Sequence, residues 1–188
     1  MYSDPVAYFL TFTTYGTWLH GNENSSVDKR HNQFGLPRLA MDGAIEQKER
    51  GSLKHAEYTL DERHRLVVLT TIREVDQFRG WYLWAVHVRS NHVHVVITAN
   101  AKPEKVMIDL KAWATRRLKE SFPKSQVTDR WTQHGSTRYL WKEADLSDVV
   151  RYVVEEQGEP MAVHAGLNPS LTLQALIAEN QAKSEPEA

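Results

Sequence analysis

Two histidines stand two positions apart in the run SNHVHVVI, residues 90 to 97. The surrounding residues are β-branched and apolar, the pattern of a buried strand. On a strand alternate side chains share a face, so His92 and His94 project together while Val93 and Val95 take the other side. With a rise of about 3.3 Å per residue their Cα atoms lie about 7 Å apart, close enough for two imidazoles to converge on one cation. Imidazole serves Zn, Cu, Fe and Ni, and beside oxygen ligands it also tolerates Mn or Mg. The same spacing also suits two half-exposed residues on a polar face, so a metal site needs a third donor. A late segment supplies candidates. Tyr152 and Glu156 are four apart, which places a phenol and a carboxylate on one face of a helix. Gln157, five positions from Tyr152, rotates away from that face, and Glu155, three positions away, stays within reach. In the competing arrangement Tyr152 is a core aromatic beside Val149 and Val153, with both glutamates in solvent.

The elements that must position these residues follow from periodicity. Residues 6–14 alternate β-branched and aromatic side chains before Tyr15-Gly16, which predicts a first strand. A polar stretch from about 22 to 56 reads as a long loop or insertion. Residues 60–76 read as a helix that starts near Asp61 and carries Leu66, Leu69 and Ile72 on its apolar side. Runs at 81–89 and 92–99, separated only by Ser90-Asn91, give a hairpin. Residues 102–123 place Val106, Leu110, Trp113, Ala114 and Leu118 at helical spacing between Pro103 and Pro123. A strand at 136–142 and a helix at 145–158, stopped by Gly158, complete the pattern. The order β-α-β-β-α-β is that of a ferredoxin-like α+β fold, an antiparallel sheet with helices on one face, here followed by an additional C-terminal helix. Residues 1–160 form the expected domain, and 161–188 an acidic tail with one short helix near 170–180.

Composition narrows the setting. The 188 residues contain no cysteine, which excludes disulfides and thiolate metal sites. No apolar run is long enough for a membrane span, and the N-terminal segment lacks the pattern of a signal peptide, so a cytoplasmic protein is expected. The formal net charge of -1 averages two opposite regions. Residues 102–151 hold 11 Lys and Arg against 7 Asp and Glu, whereas 155–188 hold one Lys against six Glu. The basic body suits an anionic partner such as nucleic acid.

The segments NHVHVVI, GSTRYLW and RYVVEEQG, in that order, together resemble the single-tyrosine HUH transposases, and within them the REP-associated tyrosine transposases and their insertion-sequence relatives. HUH denotes histidine, hydrophobic residue, histidine, met here by His92-Val93-His94. The resemblance runs from about residue 8 to 158 and includes the opening YFLTFTTYGTWLHG. It implies that Tyr152 is a nucleophile and that His92 and His94 bind a divalent ion, Mg or Mn. The family's third ligand comes four residues after the tyrosine and is commonly an amide. Here that position holds Glu156, with an amide only at Gln157.

What the resemblance implies chemically is nicking and rejoining of single-stranded DNA, in some members carrying a hairpin, through a covalent 5′-phosphotyrosine. The metal, with His87 or His134 as possible helpers, would favour the phenolate of Tyr152, since a free tyrosine titrates near 10. Phosphate contacts would come from Lys111, Arg116, Arg117 and Lys119 on the second helix, and from Arg130 and Arg138. Trp131, Tyr139 and Trp141 are candidates for stacking unpaired bases. Homodimerisation is a further expectation, with the tyrosine acting in its own or the partner's site. Two other readings stay open: a ferredoxin-like nucleic-acid-binding module without catalysis, and a hydrolase with a His-His-Glu metal site.

Overall fold

The structure is a computed structural model that describes residues 4–17, 51, 53 and 55–166. Most of the polar stretch at 22–56 and the helix expected near 170–180 lie outside the described residues. Among the described residues, five strands and three full helices follow in the order β1 (Ala7–Thr13), α1 (Glu62–Arg79), β2 (Tyr82–Val88), β3 (His92–Thr98), α2 (Pro103–Ser121), β4 (Ser136–Leu140), α3 (Glu143–Glu155) and β5 (Ala162–Ala165). The sheet order is β4-β1-β3-β2-β5, and every pairing is antiparallel. The first four strands give the expected ferredoxin-like arrangement, with the histidine strand at its centre.

Both faces of the sheet are buried. On one, α1 and α2 cover Leu10, Phe12, Val86, Val88, Val93, Val95 and Ile97. Helix α2 does so with Val106, Leu110, Ala114 and Leu118, the stripe expected from its sequence, while Trp113 sits at its margin. Helix α1 differs in phase from its sequence reading. Val68, Thr71, Ile72 and Val75 face the sheet, and Leu66 is 51% exposed. The run LVVLTTI is apolar on several sides, so periodicity alone does not fix which side turns inward. The Asp61 carboxylate accepts the His64 N–H at 2.8 Å to start α1, and Gly80 at φ 64° ends it three residues beyond the expected stop.

Helix α3 takes the opposite face, packing Leu146, Val149 and Val153 onto Ala7, Trp84, Ala85, Val96 and Leu140. Glu143 and Asp145 in its first turn complement the positive end of its dipole. Full burial of each aliphatic residue of this stripe stabilises the docked helix by roughly 1.5–3 kcal/mol. The fifth strand corrects the reading of everything after 160 as tail, because Ala162–Ala165 pairs with Ala85–Val88. Four residues, two of them alanine, carry little strand signal of their own; they are recruited because β2 would otherwise present an open edge.

Candidate active site

His92 and His94 lie on the central strand, on the face covered by α3. Their rings are 4.8 Å apart, as two side chains on one face of a strand should be. Thr11 of β1 stands directly across from His94, and His87 of β2 stands across on the other side. His94 is 5% exposed, and its Nδ1 lies 2.7 Å from the Thr11 hydroxyl. His92 is half-buried, with Nδ1 2.8 Å from Asn91 Oδ1. Burial holds both imidazoles neutral: His92 is lowered to about 4, with Arg89 and His87 acting in the same direction, and His94 to about 3, with His92 and His87 adding to the effect. Neutral imidazole is the form that donates a lone pair to a cation.

Tyr152 joins them from α3. Val149 and Val153 anchor the helix on the sheet, and Tyr152 leans from the edge of that stripe over β1 and β3. Its ring meets His94 edge-on at 5.9 Å and Phe9 at 6.1 Å. Phe9 in turn lies 5.4 Å from His94, so three rings enclose a small corner. Tyr152 is 40% exposed, which separates it from the core aromatic of the competing arrangement.

The two candidates for a third donor, Glu156 and Gln157, are placed differently. Helix α3 ends at Glu155, and Glu156 is its C-cap at φ -104°, ψ 15°. There the carboxylate turns away from the histidines and accepts from Arg151 Nε at 3.2 Å. The chain reverses at Gly158, at φ 73°, a conformation that favours glycine. This unwinding sets the Gln157 side chain beside both imidazoles, where it would accept a hydrogen bond from either ring in its charged form. Gln157 Nε2 donates to the Tyr152 carbonyl at 3.3 Å, which leaves the amide oxygen for the histidines. The four-residue rule that favours Glu156 holds inside a helix, and the helix has stopped. Among the described residues no group of three or more His, Cys, Asp or Glu is arranged to hold a metal ion. The side chains at this corner that could hold a cation are two imidazoles and one amide, neutral groups that suit a cation sharing its sphere with water and other oxygens.

His87 is not placed as a helper base. It is fully buried, with Nδ1 2.9 Å from the Val153 carbonyl and Nε2 accepting the Met161 N–H at 3.2 Å. It fastens both ends of the segment that carries Gln157. His134 is exposed, and its carbonyl accepts from Lys111.

A family described as "Transposase IS200 like" matches residues 52–156, a span that contains His92, His94 and Tyr152. The chain belongs to the IS200-like transposase family. No curated protein matches it. Among solved structures it is similar to a REP-associated tyrosine transposase bound to a REP hairpin, at 12% identity and a TM-score of 0.43, over 83% of this chain and 68% of that one. It is also similar to a protein of Deinococcus radiodurans R1 described as a transposase, at 18% identity and a TM-score of 0.39, over 88% and 95%.

The residues expected to contact DNA are scattered. Helix α2 lies across the sheet from the histidines, so Lys111, Arg116, Arg117 and Lys119 stand apart from the candidate site. Lys111 is lowered to about 8 by burial and donates to the Thr132 and His134 carbonyls at 3.0 and 2.9 Å. Arg116 stacks over Trp113 at 4.8 Å, and Arg117 pairs with Glu74 at 2.7 Å. Lys119 is exposed. Arg130 is buried, 5.9 Å from the Tyr58 ring, and corrects the expectation of a surface contact. Arg138 of β4 is exposed and stands opposite Phe9, on the histidine face. Trp131 packs edge-on against Phe12 and donates to Thr115 at 3.0 Å, whereas Tyr139 and Trp141 are exposed and stacked at 5.8 Å. Sequence reasoning missed Thr11, Asn91 and Phe9. Their alternation within β1 and the turn is visible in sequence, but strand register, which sets them beside the histidines, is not.

Proposed function

We propose that the protein nicks and rejoins single-stranded DNA, with Tyr152 as the nucleophile and a divalent ion, Mg or Mn, held by His92, His94 and Gln157. The observation that carries this reading is the contact of the exposed Tyr152 ring with His94, the buried member of a histidine pair that desolvation holds neutral. When bound, the ion would withdraw charge from a non-bridging oxygen of the scissile phosphate. The residues of the chain account for the rest. Thr11, Asn91 and the packed strand hold the imidazoles in place, and Phe9 walls the corner on one side. The Tyr152 phenol gives up its proton, and its oxygen bonds to phosphorus. The bond from phosphorus to the 3′ oxygen breaks, and that oxygen takes up a proton. The products are a 5′-phosphotyrosine and a free 3′ hydroxyl; reversal by another 3′ hydroxyl rejoins the strand without an external energy source. Because Tyr152 lies against His94 of its own chain, we assign the nucleophile to the same chain as the histidines. Of the basic residues expected to contact DNA, Arg138 is the one exposed on this face, where it would meet the phosphate backbone.

The test is Tyr152→Phe with an end-labelled single-stranded oligonucleotide carrying a hairpin, with Mn2+ present. Expected is loss of the covalent protein–DNA adduct with binding retained. Cleavage that persists without an adduct would instead indicate a hydrolase, and wild-type protein that binds DNA but never cleaves it would indicate a binding module.

A further inference from the structure

We infer that Asn91 and Thr11 are positioning residues that fix His92 and His94 in the Nδ1–H tautomer, so that both Nε2 lone pairs face the Gln157 amide. The inference rests on the proposed function for its purpose, but not for its geometry. An amide oxygen can only accept, so the contact of Asn91 Oδ1 with His92 Nδ1 at 2.8 Å requires the proton to be on Nδ1. Thr11 Oγ1 at 2.7 Å from His94 Nδ1 can accept in the same sense. With both Nδ1 atoms engaged, the ring nitrogen left to each imidazole on the Gln157 side is Nε2. Gln157 commits one of its two N–H donors to the Tyr152 carbonyl, and toward the imidazoles it acts as an acceptor. In this tautomer each Nε2 carries a lone pair that could serve a cation, beside the Gln157 amide oxygen.

The backbone beneath Asn91 is built to hold this aim. Its carbonyl receives the Thr14 N–H at 2.9 Å and lies 3.2 Å from the Thr14 hydroxyl, while the Thr17 hydroxyl beside it donates to the Thr14 carbonyl at 2.8 Å. Thr14 is fully buried and Thr17 nearly so. Thr14, just past the end of β1 and itself held by Thr17, thus clamps the hairpin turn whose second residue orients His92. The turn of a two-residue hairpin needs no such clamp for pairing alone. Thr11 sits on β1 in register with His94, so its hydroxyl is as fixed as the sheet itself. Groups that hold the distal nitrogen of a ligating histidine typically change metal affinity 10–100-fold when removed.

The experiment is long-range 1H–15N correlation of the imidazoles in the full-length, metal-free protein at pH 7, with resonances assigned by His92→Gln and His94→Gln. Both histidines are expected as Nδ1–H tautomers. In Asn91→Ala the His92 signal should move toward the Nε2–H form and Mn2+ dissociation constants should rise at least tenfold, whereas Asn91→Asp, which keeps an acceptor oxygen, should retain the wild-type tautomer. Thr11→Val should do the same to His94, with Thr11→Ser restoring it. An Nε2–H tautomer for either histidine in the wild type, or tautomers unmoved by Asn91→Ala and Thr11→Val, overturns the inference. Failure of Mn2+ to bind a protein with both Nδ1–H tautomers would sink the metal reading and leave the positioning role standing, so the two can fail separately.

Discussion

The neutral histidine pair makes the metal-free protein sensitive to acid in a calculable way. The folded chain lowers His94 from the ordinary 6.5 to about 3, chiefly because the ring is buried. As pH falls below about 6.5 the unfolded chain takes up a proton that the folded chain refuses. Stability is therefore full above that pH and declines as pH drops toward about 3. Between pH 7.5 and 5 this one imidazole costs about 2 kcal/mol, the free energy of protonating a free imidazole 1.5 units below its pKa. That is a sizeable share of the 5–15 kcal/mol typical of a domain, and corresponds to about 4–8 °C in Tm. His92 adds in the same direction, less strongly because it is partly exposed. The assay is urea unfolding of wild type and His94→Gln at pH 7.5 and 5, with chelator present. The variant cannot titrate, so whatever its stability at pH 7.5, its loss on acidification should be smaller than that of the wild type by about 2 kcal/mol. If the two proteins lose stability in parallel, His94 is not held neutral by burial and the electrostatic account of the site fails.

Other outcomes follow from the same geometry. Gln157→Ala should weaken Mn2+ binding by about tenfold or more, whereas Glu156→Gln, which only loses its contact with Arg151, should leave it within about threefold, as calorimetry would show. Val153→Ala opens a void under the last turn of α3 and should cost about 1–3 kcal/mol in urea unfolding, with a fall in adduct formation at saturating DNA because Tyr152 loses its anchor. Arg138→Ala should lower the salt dependence of oligonucleotide binding by about one phosphate contact, measured by fluorescence anisotropy across a salt series; an unchanged slope would remove Arg138 from the interface. Truncation after Pro160 deletes β5 and the Met161 N–H on His87, and should abolish Mn2+ binding while the far-ultraviolet dichroism of α1 and α2 persists.

Much of this was legible before any coordinates. Strand alternation alone puts His92 and His94 on one face, and the stripe Val106, Leu110, Ala114 and Leu118 places α2 because its polar and apolar sides differ sharply. Legibility failed where several sides of a segment are equally apolar, as in α1, and where an element exists only because a neighbour needs it, as in β5. The identity of the third donor was also hidden. Counting four residues from Tyr152 presumes that the helix continues, and the sequence shows a stop at Gly158 without showing that the last helical residue is Glu155. The basic residues misled for another reason: charge counts carry no direction, and Lys111, Arg117 and Arg130 spend theirs on carbonyls, a glutamate and an aromatic ring within the fold.

The placement of the site follows from the sheet being covered on both sides. A ferredoxin-like sheet with helices on one face leaves the other face to water, where two adjacent imidazoles would be solvated, freely protonated and mobile. Helix α3 closes that face, and the same burial that docks Leu146, Val149 and Val153 lowers the histidines into their neutral form. It also delivers Tyr152 at the rim, exposed enough to be reached. Glu156 makes the last helical hydrogen bond, to the Tyr152 carbonyl at 3.2 Å, and beyond it Gln157 leaves the helical path and can set its amide beside the imidazoles. His87 makes that turn definite by holding the Val153 carbonyl before it and the Met161 N–H after it. A buried histidine with two backbone partners is thus what converts the end of a helix into one wall of a site.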